Sequence, residues 1–202
     1  MDIKARIIET AIKLFLKFGI RGVTMDMIAK EAGVSKRTIY ENFKDKTEVL
    51  ETCLLHMDRL KNEEMINLKT VGGNIIDTIY RLANHHIKDL QSINPLFFHD
   101  LQKIYPKLWK NSLDKKDKDG LSEIHKLFRK GINEGLIRSD IHLEVASRVM
   151  LEHFKLALTL ELQRNRGYDR NILFENIILN YFRGIATEKG LDILKSYQAT
   201  TQ

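Results

Sequence analysis

Six polar side chains crowd into residues 36–42, KRTIYEN: Lys36, Arg37, Thr38, Tyr40, Glu41 and Asn42. Cations of this kind neutralise phosphate, and hydroxyl, amide and guanidinium groups hydrogen-bond to base edges. Ile39 and Phe43 are four apart, so a helix here would bury those two and turn the polar residues outward. That is the pattern of a helix that lies in the major groove of DNA. Other chemistry is poorly specified. The seven histidines are scattered, with no HExxH and no His or Cys spacing suited to zinc. There is no GxSxG and no nucleotide-binding glycine loop. No catalytic residue, metal or cofactor is therefore expected. Cys53 is the single cysteine, excludes an intramolecular disulfide, and reads as a core thiol beside Leu50 and Leu54.

The elements that would hold residues 36–42 are legible on either side. Thr24 can cap a helix whose apolar face carries Met27, Ile28 and Ala32. Gly33 follows, where a helix commonly ends in a left-handed residue. Val34 can plug the turn, and Ser35 can cap the reading helix. Upstream, residues 3–18 repeat Ile7, Ile8, Ala11, Ile12, Leu14, Phe15 and Phe18 at helical spacing, and Gly19 ends that helix. Downstream, Asp45 and Glu48 form a capping box for a longer helix leaving the unit. Arg37 and Glu41 are four apart and can pair with each other. Arg37 is expected to contact DNA, and Glu41 to face solvent and repel phosphate.

The stretch Ile7 to Leu50 resembles the DNA-binding domain of the TetR (tetracycline-repressor-like) family. The matching residues are Ala11, Leu14, Phe15, Phe18-Gly19, Thr24, Ile28-Ala29, Glu31-Ala32-Gly33-Val34-Ser35, Thr38-Ile39-Tyr40, Phe43, Lys46 and Leu50. The resemblance covers the first quarter of the chain. It implies that Lys36, Thr38 and Tyr40 contact base edges or phosphates, while Thr24 and Lys46 hold the DNA backbone. With Ser35 and Arg37 these form the expected DNA-binding set. The resemblance also implies a homodimer on double-stranded DNA with a palindromic operator, an inducer site in the larger domain, and action as a repressor. Arg37, Glu41 and Asn42 depart from the family's usual residues, which leaves the operator sequence open.

Composition agrees with a folded, all-α regulator. Hydrophobic residues make up 43%, enough for a core, and 2 prolines leave long stretches free to be helical. Half of the net charge of +6 falls in the first fifty residues, where phosphate binding would place it. Without a signal-peptide core or an apolar span, a cytoplasmic protein with no membrane contact is expected. The expected domains are residues 1–46, the helix-turn-helix, and 47–202, a helical ligand-binding and dimerisation domain.

In that larger domain, helices are expected over residues 46–68, 75–92, 121–137, 142–164 and 170–187, with a short one over 191–197. Asn94-Pro95 reads as a cap and first turn, Pro106 as a break, residues 111–120 (NSLDKKDKDG) as a charged loop, and Asp140 as a cap. Phe97, Phe98, Tyr105, Trp109, Phe128 and Phe154 would surround one core, and His86, His99, His125 or His153 could supply polar groups to a pocket for a small apolar or aromatic effector. Helices 142–164 and 170–187 are apolar on two sides. Val149, Phe154, Ala157, Ile178, Tyr181 and Phe182 are accordingly expected at a dimer interface, the other reading being a deeply buried pair within one subunit. Two further alternatives stay open: a DNA-binding regulator controlled by a protein partner, and a metal-binding or enzymatic helical protein.

Overall fold

The structure, a computed structural model, describes residues 2–79, 81–82, 93–162 and 170–198. Its chain divides into two compact units, Met1–Asn67 with Lys88–Ser112, and Leu68–Ile87 with Leu113–Gln202. This differs from a boundary at residue 46, because most of the fourth helix and a later helical arm pack with the N-terminal helices.

The first unit contains α1 (Ile3–Phe18), α2 (Met25–Ala32), α3 (Lys36–Asn42) and the start of α4 (Lys46–Thr70). Asn94 and Pro95 then open α5 (Pro95–Ile104), the Asn94 side chain accepting from the Leu96 amide at 3.0 Å. Tyr105 closes α5, and Pro106 begins α6 (Pro106–Asn133) at the position where a missing amide is harmless. The core of this unit gathers Ile7, Ala11, Phe15, Ile20, Ile28, Ile39, Phe43 and Leu50, joined by Phe97 and Leu101 from α5. Burying each such side chain contributes roughly 1.5–3 kcal/mol. Cys53 lies in the same core, where burial pushes its thiol up to about 12 and keeps it protonated.

The second unit builds on Ile75, Ile76 and Ile79, the later part of α6, α7 (Leu143–Leu162), and a segment made of α8 (Arg170–Leu173), a π-helical turn over Phe174–Leu179 and α9 (Asn180–Ile185). The last helix is α10 (Glu188–Gln198). Phe128 and Phe182 meet edge to face at 5.7 Å in its core. Among the described residues there is no strand beyond one antiparallel bridge of Ile137 with Ala186, and no helix is long and apolar enough to cross a membrane.

Four expectations are corrected. Residues 111–120 are helix, part of α6. Their inward stripe of Leu113, Asp117, Gly120 and Leu121 leads to Ile124 and Phe128, and Asp117 is met by Lys155 at 2.7 Å. The charged composition of the whole segment made it read as a loop. Asp140 does not cap α7; it pairs with the Arg138 guanidinium, and the amide of Val145 turns to His142. The aromatics do not share one core. Phe97, Phe98, Tyr105 and Trp109 pack with the first unit, whereas Phe128 and Phe154 belong to the second. Finally, Ile178 and Phe182 are 1% and 4% exposed, covered by their own chain, so they are core rather than interface. His86 lies outside the described residues.

A proline separates helix from loop over residues 111–120. Lys118 is exposed, so Lys118→Pro in a loop would be nearly silent. In a helix interior it should destabilise by about 3 kcal/mol and lower the thermal midpoint followed by circular dichroism. An unchanged midpoint would return the segment to a loop.

Candidate nucleic-acid interface

Local chemistry sets α2 and α3 at their angle. Thr24 accepts from the Met27 amide through its hydroxyl at 3.2 Å, starting α2. Gly33 ends it in the left-handed conformation at φ 62°, and the Val34 amide reaches back to the Ala29 carbonyl at 3.0 Å. Ser35 then caps α3, accepting from the Thr38 amide at 3.0 Å. Ile39 and Phe43 are 0% and 1% exposed and root α3 in the core. Lys36, Arg37, Tyr40 and Glu41 face solvent, and Thr38 and Asn42 are half-buried at the edge. The residue types expected to meet DNA therefore do share one outward face.

Several of these groups already have partners. Lys36 Nζ lies 2.7 Å from Asp26 on α2, and that hydrogen bond and charge raise the Lys36 pKa. Arg37 Nε donates to Glu41 at 2.9 Å. An exposed pair at this spacing is worth about 0.3–0.5 kcal/mol, so DNA can displace it. The Thr38 hydroxyl is within 2.8 Å of the Ser35 hydroxyl, and the Asn42 amide donates to the Thr38 carbonyl. Lys46 is half-buried and donates to the Val23 carbonyl, with burial lowering its pKa against the nearby charge of Asp100. An ammonium has three donors, so this bond leaves two for a phosphate. The Asp45–Glu48 cap forms with a shift: Asp45 accepts from the Glu48 amide, while Glu48 accepts from the Lys44 amide one residue earlier than expected.

Sequence reasoning missed three participants. Asp26 lies ten residues before Lys36, and only the packing of α2 on α3 brings them together. Asp100 on α5 and Asn94 at its N-cap bond to the chain around Gly19, at separations of 79 and 77 residues. No periodicity signals such long-range polar contacts. The described residues hold no group of three or more His, Cys, Asp or Glu that could bind a metal.

An outward helix of cations, hydroxyls and one exposed tyrosine, presented by a helix-turn-helix, defines a DNA-binding transcriptional regulator. Residues 7–53 match the bacterial regulatory proteins of the tetR family. The HTH-type transcriptional regulator YhgD of Bacillus subtilis is 27% identical over 168 residues, 81% of this chain and 86% of that one. The regulator SrpR of Pseudomonas putida is 38% identical over 53 residues, so the chain spans 25% of that relative. A transcriptional regulator of Saccharomonospora viridis, solved in complex with choline, shares the fold at a TM-score of 0.72 and 19% identity, over 92% of this chain and 98% of that one. The match to the tetR family covers residues 7–53, which hold α1, α2, α3 and the first turns of α4.

The two acidic residues hold cations of the outward face, which predicts that they restrain DNA binding in general rather than select a sequence. Asp26→Asn frees Lys36, and Glu41→Gln frees Arg37 and removes a charge that phosphates repel. Each should tighten binding to any duplex by a few-fold without changing the preferred site. Site selection from random duplexes checks this, and a changed base preference in Glu41→Gln would show that Glu41 reads sequence.

Proposed function

We propose that this protein is a dimeric repressor that reads a palindromic operator through α3 and is released by a small apolar or aromatic effector. The observation that carries the reading is the outward face of Lys36, Arg37, Thr38 and Tyr40 on a helix rooted by Ile39 and Phe43. Tyr40 is 49% exposed, a large aromatic held in water, and suits contact with bases or a thymine methyl. Lys36, Arg37 and the remaining donors of Lys46 answer the phosphates, with Thr24 and Ser35 at the helix starts beside them.

The dimer is supported by what α7 leaves uncovered. Val145, Val149 and Leu156 lie on one stripe and are 57%, 36% and 47% exposed, and Ile172 on α8 is 54% exposed. Ala157, Phe154 and Tyr181 are half-buried. A mainly apolar uncovered stripe on a long helix, interrupted by Glu152 paired with Lys155, is suited to a second copy of the same stripe. Two copies present two reading helices to a two-fold operator.

The effector reading rests on the family and on the second unit. His153 has no partner for its buried Nδ1, and its ring stands edge-on to Tyr181 at 5.0 Å. Phe154, Phe128 and half-buried His125 belong to the same unit. An apolar ligand with one hydrogen-bonding group matches such surroundings. An effector acts only by binding the DNA-incompetent state better than the competent one.

Two experiments test this. Lys36→Ala should weaken binding to operator and random DNA alike and reduce the salt slope by about one unit. Tyr40→Ala should instead lower the ratio of operator to random binding. An unaltered ratio would remove Tyr40 from sequence reading. In the second, Val149→Glu with Leu156→Glu should give a folded monomer by sedimentation with weakened operator binding, since each charge would be buried unpaired in the dimer. Ile178→Glu should unfold the second unit instead. A wild type that sediments as a monomer at micromolar concentration would overturn the dimer.

A further inference from the structure

The loop between α1 and α2, residues 19–24, determines where α2 begins and so where α3 points. Its side chains Ile20 and Val23 are fully buried. Its backbone is held from outside the helix-turn-helix. Asp100, on α5, is 6% exposed, and its Oδ2 accepts from the Arg21 amide at 2.7 Å. Gly19 stands at φ 78°, and a Cβ there would lie 2.9 Å from the Leu96 Cβ and 3.2 Å from Asp100 Oδ2. A left-handed glycine is thus required twice, for its conformation and for the close approach of α5. Asn94 at the start of α5 ties the same region again. Its amide donates to the Leu16 carbonyl at 2.8 Å, and its Nδ2 donates to the Lys17 carbonyl at 3.0 Å. On the far side of the loop, Lys46 holds the Val23 carbonyl.

A buried carboxylate is expensive unless its charge is answered. Around Asp100 the answers are the Arg21 amide and the charge of Lys46, and the His99 ring stands nearby with Nδ1 3.7 Å from Oδ1. None of these is needed to bury α5, which Phe97 and Leu101 already anchor. A hydrogen bond to a charged acceptor is roughly twice as strong as a neutral one, and a carboxylate aimed at one loop amide is a positional device.

We propose that Asp100 is a positioning residue for DNA reading: through the Arg21 amide it holds loop 19–24, and with it α2 and α3, in the arrangement that matches the operator. The proposal rests on sequence reading by α3. The arm that carries Asp100 runs in the chain between two stretches of the second unit, Leu68–Ile87 and Leu113–Gln202.

The test uses the full-length chain, an operator selected from random duplexes, and hydrogen exchange of the loop amides. Asp100→Ala should lower operator affinity about tenfold, leave random-duplex affinity unchanged, and speed exchange at the Arg21 amide. Asp100→Asn keeps an acceptor at the same place and should restore most of the operator affinity. If Asp100→Ala fails to fold, Asn94→Ala reads the same arm without touching a buried charge. It should lower operator affinity about threefold with random binding unchanged. Folded variants that bind operator as wild type does overturn the latch, as does a loss shared equally by operator and random DNA. A wild type that cannot discriminate any duplex from random DNA overturns sequence reading itself, and the role of Asp100 with it.

Discussion

The burial of Ile39 and Phe43 is the constraint from which the DNA-facing half of this molecule follows. A seven-residue helix is too short to be stable alone in water. It exists because those two side chains enter a core already built by Ile7, Phe15, Ile28 and Leu50. Once they are inside, the 3.6-residue period leaves Lys36, Arg37, Tyr40 and Glu41 outside. The same contact therefore makes the helix stable and decides which residues it displays. The caps at Thr24, Gly33 and Ser35 complete the arrangement by satisfying backbone groups that the turn would otherwise strand.

Electrostatics in the unbound state are arranged as restrained readiness. Lys36 and Arg37 are exposed cations, yet each rests against a carboxylate, Asp26 or Glu41. Exposed pairs of this kind are weak and screened by salt, so they leave both cations open to a better partner. Lys46 differs, because it is half-buried and bound to the Val23 carbonyl. It belongs as much to the scaffold of the loop as to its charged surface.

Much of the first unit was legible because its signals are local. A cap, an apolar period, a glycine and another cap follow each other within twenty residues, and each acts over one helical turn. The start of α5 at Asn94-Pro95 and the break at Pro106 were legible for the same reason, since proline's missing amide and fixed φ act where the residue stands. The helix over residues 111–120 was not. Its polar composition matches a loop, and its helicity depends on an inward stripe in which Asp117 finds Lys155, 38 residues away.

By itself the sequence determined that the chain is helical, that residues 36–42 form a helix, and which of its residues point outward, because these depend on spacing within one or two helical turns. Tertiary structure decided which apolar residue meets which. Phe97, Tyr105 and Trp109 pack with the helix-turn-helix rather than with Phe128 and Phe154, since a period reports that a face is buried but not against what. Ile178 and Phe182 point into their own unit while Val145, Val149 and Leu156 stay uncovered, because a helix apolar on two sides does not say which side its own chain takes. The bonds from Asp26 to Lys36 and from Asp100 to Arg21 were likewise tertiary decisions. They join residues far apart in the chain, and a directional contact of that kind exists only after the helices have packed.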